Sequence, residues 1–98
     1  MEQVYTYEAD SAKAMDKLLE QEFFKRLGPT VRECKAMGLQ KGGFCIYIKA
    51  RDDLVEEASK LLKDSPAKEL KGEESDRLIQ AFRDESESAE AGIGVLFG

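Results

Sequence analysis

The sequence predicts an α+β fold, namely a ferredoxin-like two-layer sandwich in which an antiparallel sheet carries helices on one face. The first observation is the element order β-α-β-β-α-α-β, which hydrophobic periodicity indicates and which resembles the split βαβ arrangement with an extra helix before the last strand. The second is a glycine-rich hairpin connection between two strand-like segments. The third is size: 98 residues, 42% of them hydrophobic, suffice for one core, so we expect a single domain over residues 1–98.

The first two elements are a strand and a long helix. Residues 3–9 alternate in polarity and contain Val, Thr and Tyr, a composition typical of a strand. The alternation leaves open whether Tyr5 and Tyr7 face the core, although burial tendencies favour that orientation. Apolar residues at helical spacing then predict a helix over 11–27, which Gly28 and the proline after it should end.

Two strands joined by a glycine-rich loop form the predicted hairpin. The strands cover residues 30–38 and 44–50, and the connection over 38–43 contains three glycines. Residues 30–38 alone also fit a short helix, but a glycine-rich loop with a strand on its far side favours the hairpin.

The register of this hairpin decides where the cysteines lie. If Cys34 opposes Ile46, Cys34 shares the buried face and Glu33 points outward. A one-residue slip would place Cys34 opposite Cys45, but it would also turn Glu33 and Lys35 inward, and burying two charges costs several kcal/mol. We therefore expect the two cysteines on opposite faces of the sheet, with both thiols reduced.

Helices dominate the second half of the predicted fold. A start like a capping box and one apolar face predict a helix over 53–64. A further helix is predicted over 72–87 and a final strand over the alternating residues 91–98. Residues 67–71 fit a short extended piece, and the pattern leaves open whether they form a strand.

The composition excludes several classes of function. A net charge of −5 and a pI near 4.8 argue against nucleic-acid binding, which needs Lys and Arg to displace counterions. The chain contains no His, the commonest general acid/base and transition-metal ligand, and no spacing indicates a catalytic centre, a metal site or a cofactor. No apolar run is long enough to span a membrane, and the two cysteines do not suggest a disulfide framework, so we expect a cytoplasmic protein.

The candidate ligand-binding residues are Lys41, Gly42 and Gly43. Consecutive backbone amides can form a nest for a phosphate or carboxylate, with Lys41 as the counter-charge. The full phosphate-loop spacing is missing, and glycines in a hairpin loop also serve conformation alone. The string 41–48 resembles in part the RNP1 motif of RNA-recognition modules, but its base-stacking positions hold Gly43 and Cys45 instead of aromatic residues.

An acidic stretch and the open face of the sheet are candidate interaction surfaces. Residues 73–90 carry a net charge of −5, equal to that of the whole chain, and such a face suits a basic protein partner. The sheet face away from the helices is predicted to carry Val31, Cys45, Tyr47 and Leu96. Exposed apolar patches usually mark an interface and two-fold dimers are the commonest closed assembly, so we expect a homodimer.

These observations favour a non-enzymatic interaction or regulatory module that self-associates through its sheet. The alternative is a sensor of a small anionic metabolite that binds at the loop Gly38–Gly43. RNA binding is a further alternative. An enzyme is disfavoured, because a hydrolase or transferase without His needs a carboxylate pair or a lysine, and no spacing singles one out.

Overall fold

The computed structural model describes the backbone of residues 1–40 and 42–97 and the side chains of these residues as far as Ser86. Its elements are β1 (Glu2–Tyr7), α1 (Ala12–Leu19), α2 (Glu22–Leu27), β2 (Thr30–Glu33), β3 (Phe44–Lys49), α3 (Asp52–Lys63), β4 (Lys68–Glu69) and α4 (Glu73–Phe97). Short 3₁₀ turns follow β1 at Ala9–Ser11 and β2 at Lys35–Met37. The strands form one sheet in the order β2-β3-β1-β4 with antiparallel neighbours, so the predicted α+β class is confirmed.

The long helix predicted over 11–27 is divided in two. α1 ends at Leu19, and Gln21 is extended with ψ 146° before α2 begins, which interrupts the helical hydrogen bonds. Gly28 adopts the left-handed conformation at φ 68° and donates its N–H to the carbonyl oxygen of Phe24. The predicted glycine stop is therefore confirmed.

Strand β1 divides its side chains between two apolar clusters. Tyr5 and Tyr7 are only 3% and 5% exposed and face the cluster formed with the first three helices, so their favoured inward orientation is confirmed. Val4 is fully buried on the opposite face. On the far side of β1, the two residues of β4 pair with Tyr5 and Thr6. The segment 67–71, which the sequence pattern did not assign, therefore contains a short edge strand.

The larger cluster fills the layer between the sheet and the helices α1, α2 and α3. Its helical members are Met15, Phe24, Val55, Ala58 and Leu62, which pack against Tyr5, Tyr7, Ile46 and Ile48 of the sheet. Tyr7 also stacks on Phe44, with ring centroids 5.3 Å apart. This part of the fold has the two layers that the sequence predicts.

Helix α4 covers the opposite face of the sheet. Leu78 and Phe82 are buried in a second, smaller cluster with Val4, Cys34 and Cys45. The helices therefore do not all lie on one face, and that part of the prediction is wrong. The reason is the apolar stripe of α4, whose burial against the apolar residues of β1 and β3 on that face is favourable.

The predicted C-terminal strand over 91–98 is also wrong. α4 extends from Glu73 to Phe97, so residues 91–97 continue a helix, while Gly98 lies outside the described residues. The alternating pattern is typical of a strand, but no proline separates it from the preceding helix. Extending an existing helix adds one hydrogen bond for each residue fixed, whereas a new strand needs a partner.

The observed hairpin register differs from the predicted one. Val31 pairs with Ile46 and Arg32 with Cys45, so Val31 faces the larger cluster. β2 ends at Glu33, and Cys34 lies on the same face as Cys45. The expectation of cysteines on opposite faces is wrong because the 3₁₀ turn removes Lys35 from the strand, so its charge places no constraint on the register.

Replacing Ile46 with alanine should lower the free energy of unfolding by about 2–5 kcal/mol, the usual cost of an emptied core site. Ile46 is fully buried on a central strand. Ile79→Ala on α4 is the matched control, because Ile79 is only partly buried and its loss should be smaller. Urea unfolding followed by circular dichroism measures both variants, and equal losses would contradict this placement of Ile46.

Candidate functional site

The predicted glycine site lines an open cleft at the end of β1. Gly42 and Gly43 form one wall, the residues from Tyr7 to Ser11 form another, and Pro66 and Lys68 complete a space of about 590 Å³. The glycine loop therefore borders a cleft, and a ligand site at this position requires one.

Among the described lining residues of this cleft, acidic groups outnumber basic ones. Glu8 and Asp10 line it and Lys68 is the only basic group among its described lining residues. Lys41, the predicted counter-charge, lies outside the described residues. The carboxylates would repel the phosphate or carboxylate group expected at this loop.

Gly43 has a structural role in this loop. Its φ is +99°, and a Cβ on this residue would collide with the carbonyl oxygen of Tyr7. Its own carbonyl oxygen accepts the N–H of Cys34 at 3.0 Å, which closes the hairpin. The conformational explanation of this glycine is therefore sufficient.

A second cleft, between α3 and β4, is lined by four lysines: Lys60, Lys63, Lys68 and Lys71. We call it the lysine cleft; it encloses about 670 Å³, and its acidic lining residues are Glu56 and Glu69. In the described part of the chain, none of the four ammonium groups forms a salt bridge. The cleft is thus locally basic in a chain whose net charge is −5.

The turn between α3 and β4 brings these lysines together. Lys60 and Lys63 are three residues apart and so lie on one face of α3. Ser65 then donates its hydroxyl to the carbonyl oxygen of Leu62 at 2.6 Å and accepts the N–H of Ala67 at 3.2 Å. These two bonds order the turn from α3 to β4, and the lysines on both sides of it line the same cleft.

Uncharged polar groups also line the lysine cleft. The hydroxyl of Tyr5 donates to Oε1 of Gln3 at 2.6 Å, and Ser59 also lines the cleft. Burial raises the pKa of the Tyr5 hydroxyl above its usual value, so the group stays protonated at neutral pH. The cleft combines cationic groups with neutral hydrogen-bonding groups.

The structure does not bring the predicted interface residues together on an open face. Val31 packs against the larger cluster, Cys45 is fully buried, and Tyr47 stacks on Phe82 of α4 at 5.0 Å. Leu96 belongs to α4, and its side chain lies outside the described residues. Met1 is the only exposed large hydrophobic side chain in the part of the chain that is described.

Polar contacts hold α4 on the sheet at Glu2. The Glu2 carboxylate accepts hydrogen bonds from the Arg83 guanidinium of α4 and from the Tyr47 hydroxyl of β3. The bond from Arg83 is the main cause that lowers the pKa of Glu2 from 4.5 to about 2. Burial, followed by the bond to Glu2, raises the pKa of Tyr47 to about 12.

A second ion pair joins α4 to the edge strand β2. Arg32 donates from Nε to Glu85 at 2.8 Å. Glu85 of the acidic stretch therefore binds a basic group of the sheet, while Glu73 pairs with Arg77 inside the stretch. A basic protein partner for the remaining acidic residues stays a prediction.

No protein-family model, curated protein or solved structure matches this chain. Within the described residues, no group of three or more His, Cys, Asp or Glu side chains could hold a metal ion. None of the helices described here is long and apolar enough to cross a membrane. The lysine cleft was missed from the sequence, although paired lysines on both sides of a Ser-Pro turn were a usable signal.

The contact between Glu2 and Arg83 should make stability depend on pH in the acid range. The pKa of Glu2 is about 2 in the fold against 4.5 for the free group, so the stabilisation is complete above 4.5 and is lost as the pH falls towards 2. Glu2→Gln should lack this part of the pH dependence. Urea unfolding across that range measures it, with Glu22→Gln, from the exposed pair with Arg26, as the control. The proposed linkage is wrong if wild type and Glu2→Gln lose stability in parallel.

Proposed function

We propose that this protein is a non-enzymatic regulatory module that binds a small polyanionic metabolite in the lysine cleft. The observation that carries the proposal is the concentration of four lysines around one cleft in a chain of net charge −5. The ligand class is a metabolite with two or more phosphate or carboxylate groups. The proposal keeps the ligand class of the sensor alternative and moves its site away from the loop Gly38–Gly43.

Electrostatics favours a multivalent ligand at this site. Ammonium groups around one cleft repel one another. An anion that contacts several of them attracts each one, and this attraction offsets their mutual repulsion. The lysines are exposed, so the attraction is screened by salt and affinity should fall as ionic strength rises. A monovalent anion would contact fewer of these groups and bind more weakly.

The position of the cleft suits a regulatory role. β4 pairs with β1 through only two residues, so it is the least extensively paired strand of the sheet. A ligand that bridges Lys60 or Lys63 on α3 to Lys68 or Lys71 would tie this edge to the helix. Binding would thereby stabilise the β4 edge relative to the unbound protein.

We also propose that the sheet and its first three helices form a ferredoxin-like fold with an added C-terminal helix. The strand order β4-β1-β3-β2, with antiparallel neighbours, supports this assignment. So does the placement of helices between β1 and β2 and between β3 and β4. A fold that hosts many functions does not itself select one. A cytoplasmic location is also proposed, because two cysteines in a chain of this size do not suggest a disulfide framework.

Self-association and RNA binding through the sheet have less support. Both would use the sheet face that carries Tyr47, and α4 lies on that face. Self-association would then depend on the edge strands β2 and β4. On β2, the charged side chains of Arg32 and Glu33 disfavour pairing with another strand.

Inorganic pyrophosphate and citrate, as probes, should bind the protein and raise its unfolding temperature, because a ligand of the folded state stabilises it. The double variant Lys60→Gln/Lys63→Gln removes two cationic groups of the lysine cleft. Its affinity should fall by about tenfold or more, equivalent to about 1.4 kcal/mol, because charge-assisted hydrogen bonds are lost. Isothermal titration calorimetry at low salt measures the change.

The matched control is Lys13→Gln/Lys17→Gln on α1. These lysines are exposed and do not line the cleft, and the double change alters the net charge equally. The control should bind like the wild type. Equal losses in the two double variants would indicate general charge attraction and contradict the site. Absence of binding by both probes at millimolar concentration would contradict the function.

A further inference from the structure

Two cysteines from different elements meet beneath α4. The Cys45 thiol donates to Sγ of Cys34 at 3.1 Å, and both residues are fully buried. No disulfide joins them in the structure. We propose that Cys34 and Cys45 form a reversible intramolecular disulfide when a peroxide oxidises them, and that α4 is the cover that controls access to the pair. This proposal does not depend on the lysine cleft.

The backbone at Cys34 allows the two sulfur atoms to approach. Cys34 follows the last residue of β2 and adopts helical angles, φ −57° and ψ −41°, at the start of the 3₁₀ turn. A disulfide needs an S–S distance of about 2.05 Å, so the sulfur atoms must move about 1 Å closer. Because Cys34 lies where the strand ladder ends, a small rotation there does not break the pairing of Arg32 with Cys45.

The oxidation balances with a peroxide as the oxidant. One cysteine, as its thiolate, attacks a peroxide oxygen, the O–O bond breaks, and the products are a sulfenic acid and water after proton transfer. The second thiol attacks the sulfenic sulfur, the S–S bond forms, and the S–O bond breaks with release of a second water. Two thiols and one hydrogen peroxide give one disulfide and two waters, so the peroxide takes up two electrons. A dithiol reductant reverses the step by thiol–disulfide exchange.

In the part of α4 whose side chains are described, Glu73 to Ser86, few buried contacts hold the helix over the pair. Leu78 and Phe82 of α4 are its buried side chains in this cluster. Its ion pairs to the sheet use Arg83 and Glu85, whose side chains are about half exposed. Elements with few buried contacts open locally at lower free energy than the whole fold. Opening of α4 therefore gives a small oxidant a route to the sulfur atoms.

The test is oxidation of the intact protein with hydrogen peroxide, followed by mass spectrometry and alkylation after unfolding. The expected product is a monomer lighter by two hydrogen atoms, in which neither thiol reacts with N-ethylmaleimide until dithiothreitol is added. In Cys34→Ala and in Cys45→Ala the mass loss should disappear. A wild-type product that only gains oxygen, a disulfide-linked dimer, or thiols that both stay reduced would overturn the proposal.

The role of α4 is tested by comparing two arginines on the same helix. Arg83→Gln removes the contact with Glu2, and the disulfide should form severalfold faster. Arg77→Gln breaks only an exposed pair with Glu73 and should oxidise at the wild-type rate. Glu85→Gln, which removes the contact with Arg32, is a second variant that should act like Arg83→Gln. Equal rates in all four proteins would overturn the assignment of α4 as the cover.

Discussion

The central strands β1 and β3 must supply a buried cluster on each face of the sheet at the same time. Along β1, Val4 belongs to the smaller cluster while Tyr5 belongs to the larger one. Along β3, Cys45 and Ile46 are divided in the same way, and both are fully buried. With α1, α2 and α3 on one side only, the second set would meet water. Helix α4 is therefore required by these two strands, and its ion pairs to Glu2 and Arg32 fix its position.

The sequence correctly predicted those features that depend on residues close together in the chain. Gly28 ends its helix in the left-handed conformation, and Tyr5 and Tyr7 face the core as favoured. The hairpin itself also forms, because a glycine-rich loop and strand composition are properties of neighbouring residues. The start of α3 at Asp52 agrees with the helix predicted from residue 53 for the same reason.

The errors in the placement of α4 and in the hairpin register share one assumption, that the second face of the sheet is open to solvent. The continuous apolar run from Phe44 to Ile48 argued against it, since strands buried on both faces lose the alternation of polar and apolar residues. Under that assumption, the charges of Glu33 and Lys35 determined the register that the sequence predicted for the hairpin. In the structure Lys35 lies in the 3₁₀ turn and Glu33 is exposed at the end of β2. The free-energy cost of burying these two charges therefore does not arise. The position of α4 depends on contacts between residues far apart in sequence, which no local pattern contains.

The same distinction applies to the candidate sites: residues that are consecutive in the sequence can be found from it, whereas sites formed by distant residues cannot. The glycine loop was found from consecutive residues and does line a cleft, but the Glu8 and Asp10 carboxylates come from the far end of β1. The lysine cleft and the thiol pair each need a chain reversal to assemble. Lys60 and Lys68 line one cleft on either side of the turn at Ser65, and the lysines around that turn are a local signal that does not by itself place them at one cleft.

Strand β1 connects the lysine cleft to the cluster beneath α4. Tyr5 lines the cleft, and the adjacent Val4 packs in the cluster that contains both cysteines. Successive residues of a strand point to opposite faces, so a shift of β1 moves both side chains at once. The same strand carries Glu2, the acceptor for Arg83, at its first residue. β1 therefore contributes residues to the lysine cleft, to the cluster with the two cysteines and to the contact that holds α4.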